Sequence, residues 1–264
     1  MSDGYRHGKH VWREHWSDNA EASRGWYAEL LGWELKAGDM GDFEYWMFKA
    51  GGKALGGFST LTADQKAMGA PPHWLTYVSV DDVDACCARA TDAGGKIYAP
   101  PFDLPEVGRM AVLADPAGAV FALFKGTTSD PEFNAPPPPM GDIWWAELMT
   151  NDVAASRAFY GKTFGWQTET MPMGDAEYTV FLQGADGASA GCLALPADVK
   201  APPHWALYFV VEDADAAAVR ATASGGAVVV PPQDVPSVGR FAFLADPQGA
   251  VFGVIVPDLS AQAG

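Results

Sequence analysis

Hydrophobic positions along the chain switch between two periods, and the switch occurs four times. A strand is expected around Val11–Trp16, where Trp12, Glu14 and Trp16 share one face. Ser23, Trp26, Tyr27, Leu30 and Leu31 then fall at i, i+3, i+4, i+7 and i+8 spacing, which predicts a helix. Asp18 or Asn19 can cap its start, and Gly32 is placed to end it in a left-handed conformation. Short strands follow near Trp33–Lys36, Tyr45–Ala50 and Ala54–Thr60. The order then restarts with a strand rich in aromatic and β-branched residues, His73–Val80. Asp82 caps an Ala- and Cys-rich helix that stops at Gly94-Gly95. Strands Arg109–Ala114 and Ala119–Lys125 meet at Asp115-Pro116-Ala117-Gly118, a type I turn by its residues. The reading is α+β: βαβββ followed by βαβββ.

The whole pattern is then written again. Pro-Pro-His73-Trp74 returns as Pro-Pro-His204-Trp205, Val-Gly-Arg109 as Val-Gly-Arg240, and Asp115-Pro-Ala-Gly118 as Asp246-Pro-Gln-Gly249, each at a step of 131. Tyr27…Gly32-Trp33 returns as Tyr160…Gly165-Trp166 at a step of 133. Solenoid repeats have periods of roughly 20–50 residues, so this is a duplicated domain. The segment Gly126 to Gly141 contains Pro136 to Pro139 and reads as an extended spacer. The division expected is a first domain over 1–127, a Pro-rich linker over 128–140, a second domain over 141–258 and a tail over 259–264.

Composition narrows the classes of function. The 264 residues are 48% hydrophobic and 19% charged, a globular balance. A formal charge of −16 argues against nucleic acid, whose binding needs clustered Lys and Arg, and against anionic membrane surfaces. Cys86, Cys87 and Cys192 form neither a disulfide framework nor a zinc-ligand spacing. Sparse cysteine suits a reducing compartment. The leading residues Met1 to His10 lack an apolar signal region, and no stretch approaches a membrane span, so a cytoplasmic monomer or homodimer is expected.

The paired βαβββ modules, the Tyr…Leu-Gly-Trp ending of the first helix and the Asp-Pro-x-Gly before the last strand resemble the vicinal oxygen chelate superfamily. That superfamily holds glyoxalases, bleomycin-resistance proteins and extradiol dioxygenases. The duplicated Pro-Pro-His-Trp and Val-Gly-Arg blocks are similar to a two-domain bacterial branch labelled glyoxalase-like or hydroxylase. The resemblance implies two glyoxalase-like domains with cup-shaped mixed sheets. It also implies one metal per cup, with ligands seven residues before each helix opener and four after the turn glycine. Those positions here are Trp12, Leu75, Trp145, Ala206, Ala122 and Gly253. None offers the carboxylate or imidazole that a divalent cation wants, so no metal cofactor is expected. A divalent metal is the alternative.

Alternation along the strands puts other chemistry on the cup faces. Trp12 and Glu14 share a face with Trp16, and Trp145 and Glu147 with Met149. His73 and Tyr77 share the face of the next module's first strand, and His204 and Tyr208 do so in the repeat. Glu14–His73 and Glu147–His204 pairs are expected; each could serve as an acid–base couple, grip a polar ligand, or simply anchor two strands. Arg109 and Arg240 either bind a ligand or form strand-edge ion pairs with Asp103 or Glu106, and with Asp234 in the repeat. Tyr45 and Tyr178 either line the cups or belong to the core. His7 and His10 are expected in solvent, and His15 points away from Glu14.

Three functions follow. The first is binding of a small aromatic or carbonyl-containing molecule without the usual metal, as the bleomycin-resistance branch implies. The second is a metal-dependent lyase or dioxygenase of the glyoxalase type. The third is an interaction module whose cups are filled.

Overall fold

A computed structural model describes residues 4–38, 44–134, 137–173, 176–184, 187–197 and 199–262; Pro136 of the expected proline run lies outside them. The first half runs β1 (His10–Ser17), α1 (Ala20–Leu31), β2 (Glu34–Ala37), β3 (Trp46–Ala50), β4 (Lys53–Thr60), α2 (Ala63–Ala67), β5 (His73–Ser79), α3 (Val83–Asp92), β6 (Lys96–Leu104), β7 (Gly108–Ala114) and β8 (Val120–Gly126). The second half runs β9 (Ile143–Thr150), α4 (Val153–Phe164), β10 (Gln167–Met173), β11 (Ala176–Leu182), β12 (Ala188–Ala194), β13 (His204–Val210), α5 (Ala214–Ala223), β14 (Ala227–Val235), β15 (Gly239–Ala245) and β16 (Val251–Pro257). The four βαβββ modules are present in the expected order; only α2 had no sequence signal assigned to it.

Local chemistry explains the elements. Asn19, Asp82, Asp152 and Asp213 each accept the N–H of the residue three further on, at 2.9–3.0 Å. This satisfies a donor that the first helical turn cannot pair internally. Gly32 and Gly165 end α1 and α4 with φ of 69° and 77°. Asp115 Oδ1 accepts the N–H groups of Ala117, Gly118 and Ala119 and so closes the turn between β7 and β8. Within each module the sheet is mixed: orders are β2-β3-β4-β1, β5-β8-β7-β6, β10-β11-β12-β9 and β13-β16-β15-β14. β1 runs parallel to β4 and β5 to β8, while the hairpins are antiparallel. No helix among the described residues is long and apolar enough to cross a membrane.

The chain divides into two compact units, and each takes one module from each sequence half. One comprises Met1–Trp12, Leu75–Pro131 and Ala146–Trp205; the other comprises Arg13–Trp74, Glu132–Trp145 and Ala206–Gly264. In the first, α3 packs on α4. Gly95 lies under the Phe159 ring, where a Cβ would come within 2.8 Å, and Phe121 meets Phe159, Tyr160 and Phe164. In the second, α1 packs on the Ala-rich α5. Gly226 lies under Trp26 at the same 2.8 Å, and Phe252 meets Trp26 and Tyr27. These glycines let a helix approach a strand end as no larger residue could. Each fully buried Phe is worth about 1.5–3 kcal/mol of burial.

The Pro-rich segment is not a free spacer. Residues 132–145 belong with the second unit. Lys53 Nζ donates to Glu132 Oε2 and to the Phe133 carbonyl, both at 2.9 Å. Trp33 Nε1 donates to the Gly141 carbonyl at 2.7 Å. His10, expected in solvent, is 5% exposed within β1, and its Nδ1 lies 2.8 Å from Thr76 Oγ1. The strand begins earlier than the periodicity suggested and takes this imidazole inside.

Candidate functional site: a duplicated carboxylate–phenol pair

Burial alternates along β1. Val11, Arg13, His15 and Ser17 are buried, while Trp12, Glu14 and Trp16 are half-buried on the opposite face. Glu14 therefore stands on the open face of the second unit. Its Oε1 accepts a hydrogen bond from Tyr45 Oη at 2.9 Å. The phenol starts just before β3 and must pass over β4 to reach β1. Gly57 makes that possible: it is the register partner of Glu14, and a Cβ there would collide with the Tyr45 ring. The first unit repeats the arrangement. Tyr178 of β11 donates to Glu147 Oε2 at 2.7 Å, and Gly191 of β12 is the register partner of Glu147. Glu147 is the more deeply set, at 6% exposure. A carboxylate has about four acceptor sites, and a phenol can both donate and accept.

The other expected site residues divide. His73 donates from Nδ1 to the Pro71 carbonyl at 2.7 Å, and His204 is 2.8 Å from the Pro202 carbonyl in the same way. Each imidazole thus binds its own Pro-Pro turn. Burial pushes the His73 imidazole below its ordinary pKa; the Pro71 carbonyl opposes this and His15 adds to it. Arg109 places Nε and Nη2 on the Asp84 carboxylate at 2.6 and 2.8 Å and Nη1 on Asp103 at 2.9 Å. Arg240 does the same with Asp215 and Asp234. These forks are engaged by protein carboxylates. Asp103 and Asp234 follow from hairpin register; Asp84 and Asp215, on the helices, were missed. Tyr77 and Tyr208 are buried, and Trp12 and Trp145 half-buried.

Sequence reasoning also missed a buried imidazole–carboxylate pair in the second unit. His15 Nε2 lies 2.7 Å from Asp246 Oδ2, with both side chains fully buried. Burial lowers the His15 pKa, outweighing Asp246, so the imidazole is neutral and donates its Nε2 proton. Burial alone would raise the Asp246 pKa, but the bond from His15 and the N–H groups of Ala250 and Gln248 bring it below the ordinary value. In the first unit Leu148 stands where His15 does. There Asp115 carries a raised pKa, from burial, against its backbone donors and Tyr160. The signal was available in the difference between the copies: a His in one, a Leu in the other, near the same turn aspartate.

The residues at the family's ligand positions do not fit a divalent cation. Leu75, Ala122 and Ala206 are buried hydrocarbons. At Gly253, where a ligating side chain would begin, the Tyr208 ring comes within 2.5 Å of an ideal Cβ and fills the space. Among the described residues no group of three or more His, Cys, Asp or Glu could hold a metal ion.

Duplicated βαβββ modules, each half with a tyrosine bonded to a strand glutamate, make up the scaffold. The profile of the Glyoxalase/Bleomycin resistance protein/Dioxygenase superfamily matches residues 14–123 and 143–254, and the chain belongs to that superfamily. It is similar to "Putative glyoxylase CFP32" of Mycobacterium tuberculosis, with 35% identity covering 96% of each chain. It is equally similar, at 35%, to "Anthracycline biosynthesis protein DnrV" of Streptomyces peucetius, covering 94% of this chain and 93% of that one. Among solved structures, the Mn(II)-bound glyoxalase of Novosphingobium aromaticivorans matches with a TM-score of 0.64 at 17% identity, over 95% of this chain and 82% of that one. The 2,3-dioxygenase LapB of Pseudomonas sp. KL28 matches at 0.61 and 15%, over 97% and 93%. At such identities these two share the fold.

Proposed function

We propose that the protein binds a small aromatic, carbonyl-bearing molecule at Glu14–Tyr45 and again at Glu147–Tyr178, without a resident metal. The observation that carries this reading is the duplicated tyrosine-to-glutamate hydrogen bond, made to a half-buried Glu14 and to a buried Glu147. The ionised oxygen accepts a phenolic or enolic O–H from the ligand, a strong charge-assisted bond. The tyrosine hydroxyl, turned between donor and acceptor, orients the ligand's second oxygen. Nearby Trp and Tyr rings supply apolar walls, as small-molecule sites usually have. Trp12, Tyr77, Trp145 and Tyr208 remain the proposed wall residues. His73 and His204 border the sites, while Arg109 and Arg240 serve the fold.

The relatives named for anthracycline biosynthesis support a polycyclic hydroxy-carbonyl ligand. A carboxylate beside a phenol also supports proton transfer: Glu14 or Glu147 takes a proton from an acidic ligand O–H or C–H, and the tyrosine stabilises the resulting anion. The test is a thermal-shift titration with a dihydroxyanthraquinone. A ligand that binds only the folded state raises Tm with concentration. Saturable stabilisation that is lost in the double variant Glu14→Gln, Glu147→Gln supports the reading. Stabilisation of equal size in that variant refutes it.

A further inference from the structure

Sheet register sets a row of three side chains on the Glu14 face, one pleat beyond the glutamate. Trp16 of β1 is the partner of Ser59 on β4, as Glu14 is of Gly57. Trp46 of β3 is the partner of Phe58, so Tyr45 falls beside Ser59 and the row reads Tyr45, Ser59, Trp16. Side chains two apart on a strand, or opposite one another on paired strands, share a face. Neighbouring strands lie about 4.8 Å apart, and Trp16 stands about 6–7 Å along β1 from Glu14. The first unit has the same row with other residues. Leu193 is the partner of Met149, and Tyr178 precedes Thr179, the partner of Cys192, so the row there is Tyr178, Leu193, Met149.

Ser59 is 1% exposed and Trp16 half-buried. Ser59 Oγ and Trp16 Nε1 are both shut off from solvent, and neither has a hydrogen-bond partner among the described residues. A buried polar atom left unpaired costs stability, and folded proteins keep few of them. The module does not need these two. Leu193 and Met149 fill the same places with no donor at all. The indole N–H only donates, and the hydroxyl can donate. Two donors one strand spacing apart match the two lone pairs of a single carbonyl oxygen. Both donors are already stripped of water in the free protein, so such an oxygen gains its bonds without a further desolvation cost on the protein side. Groups of this kind trade stability for binding.

We propose that Trp16 and Ser59 together receive a ketone oxygen of the ligand and make the Glu14 face, unlike the Glu147 face, selective for hydroxy-ketones. This rests on the binding at Glu14–Tyr45 proposed above. The ligand's acidic O–H bonds Glu14, and its ketone, one pleat further on, displaces the side-chain atoms packed over Trp16 Nε1 and Ser59 Oγ. Full-length protein carrying Glu147→Gln, in which the Glu14 face alone reads, is titrated by fluorescence with two probes. One is a dihydroxyanthraquinone, the other the dihydroxyanthracene of the same substitution, which lacks the ketones. The quinone should bind at least tenfold more tightly. Adding Trp16→Phe or Ser59→Ala should weaken the quinone about tenfold and leave the anthracene unchanged. Without ligand, Ser59→Ala should raise Tm by about 2–6 °C, because an unpaired buried hydroxyl is removed. Should Trp16→Phe fail to fold, Ser59→Ala carries both readouts. Equal losses for the two probes, unchanged quinone affinity in the folded variants, or a Tm that does not rise overturns the inference. Quinone binding that depends on Glu14 but on neither Trp16 nor Ser59 sinks this inference alone; no binding to folded wild-type protein sinks the binding site and this inference with it.

Discussion

Replacing His15 by Leu converts the second unit's buried imidazole–carboxylate pair into the arrangement the first unit already has with Leu148. The magnitude follows from what Asp246 loses and keeps. It loses a hydrogen bond from a fully buried donor at 2.7 Å, and keeps backbone donors from Gln248 at 2.8 Å and Ala250 at 3.0 Å. A bond to a charged group is worth about 1.5–3 kcal/mol. The retained donors hold the cost below the roughly 3–5 kcal/mol of a fully stripped buried charge. At about 2–4 °C per kcal/mol, Tm falls by about 3–12 °C at pH 7.5.

The pH dependence changes as well. Neutral His15 has its folded pKa below that of the unfolded imidazole. Between those two values the unfolded chain binds the extra proton, so wild-type stability falls as pH drops below about 6.5. The variant lacks this loss and should show a flatter profile from pH 7 down to the folded His15 value. Asp246, its pKa now raised by burial as Asp115's is, should cost stability as pH rises through the carboxylate range. Calorimetry of both proteins from pH 4 to 8 at constant ionic strength reads all of this. A variant as stable as wild type at pH 7.5, with a superimposable profile, refutes the assignment of a neutral imidazole donating to an ionised carboxylate.

Other predictions address the site and the frame. Gly57→Ala should push the Tyr45 ring off Glu14 and weaken ligand at that site at least tenfold, about 1.4 kcal/mol; retention of full affinity in a ligand titration would contradict the role given to the pair. Burial pushes the Cys86 and Cys192 thiols up to about 12 and Cys87 up to about 11, so Ellman's reagent at pH 8 should find no reactive thiol until denaturant is added. Arg109→Ala removes a solvent-facing fork, and the urea-unfolding midpoint should shift little.

What could be read from the sequence was local or periodic. The caps at Asn19, Asp82, Asp152 and Asp213, the left-handed Gly32 and the Asp-Pro-x-Gly turns follow from residue chemistry over a few positions. The duplication marked Glu14 and Glu147 together. Their partners were not legible, because each tyrosine crosses an intervening strand to reach its glutamate, and a strand pattern gives faces without reach. His73 and His204 turn their Nδ1 atoms to the Pro71 and Pro202 carbonyls, a contact within two residues that strand alternation does not predict. The docking of the Pro-rich segment rests on Lys53, Asn134 and Trp33, none of which carries a pattern of its own. The mixed make-up of the units depends on glycines 95 and 226 admitting aromatic rings from the other half of the chain.

The most direct measurement is a fluorescence titration of a dihydroxyanthraquinone into protein treated exhaustively with a chelator. The account predicts saturable binding whose affinity is the same before chelation, after it, and after adding back manganese or iron. Binding that disappears with the chelator and returns only with the metal would contradict it.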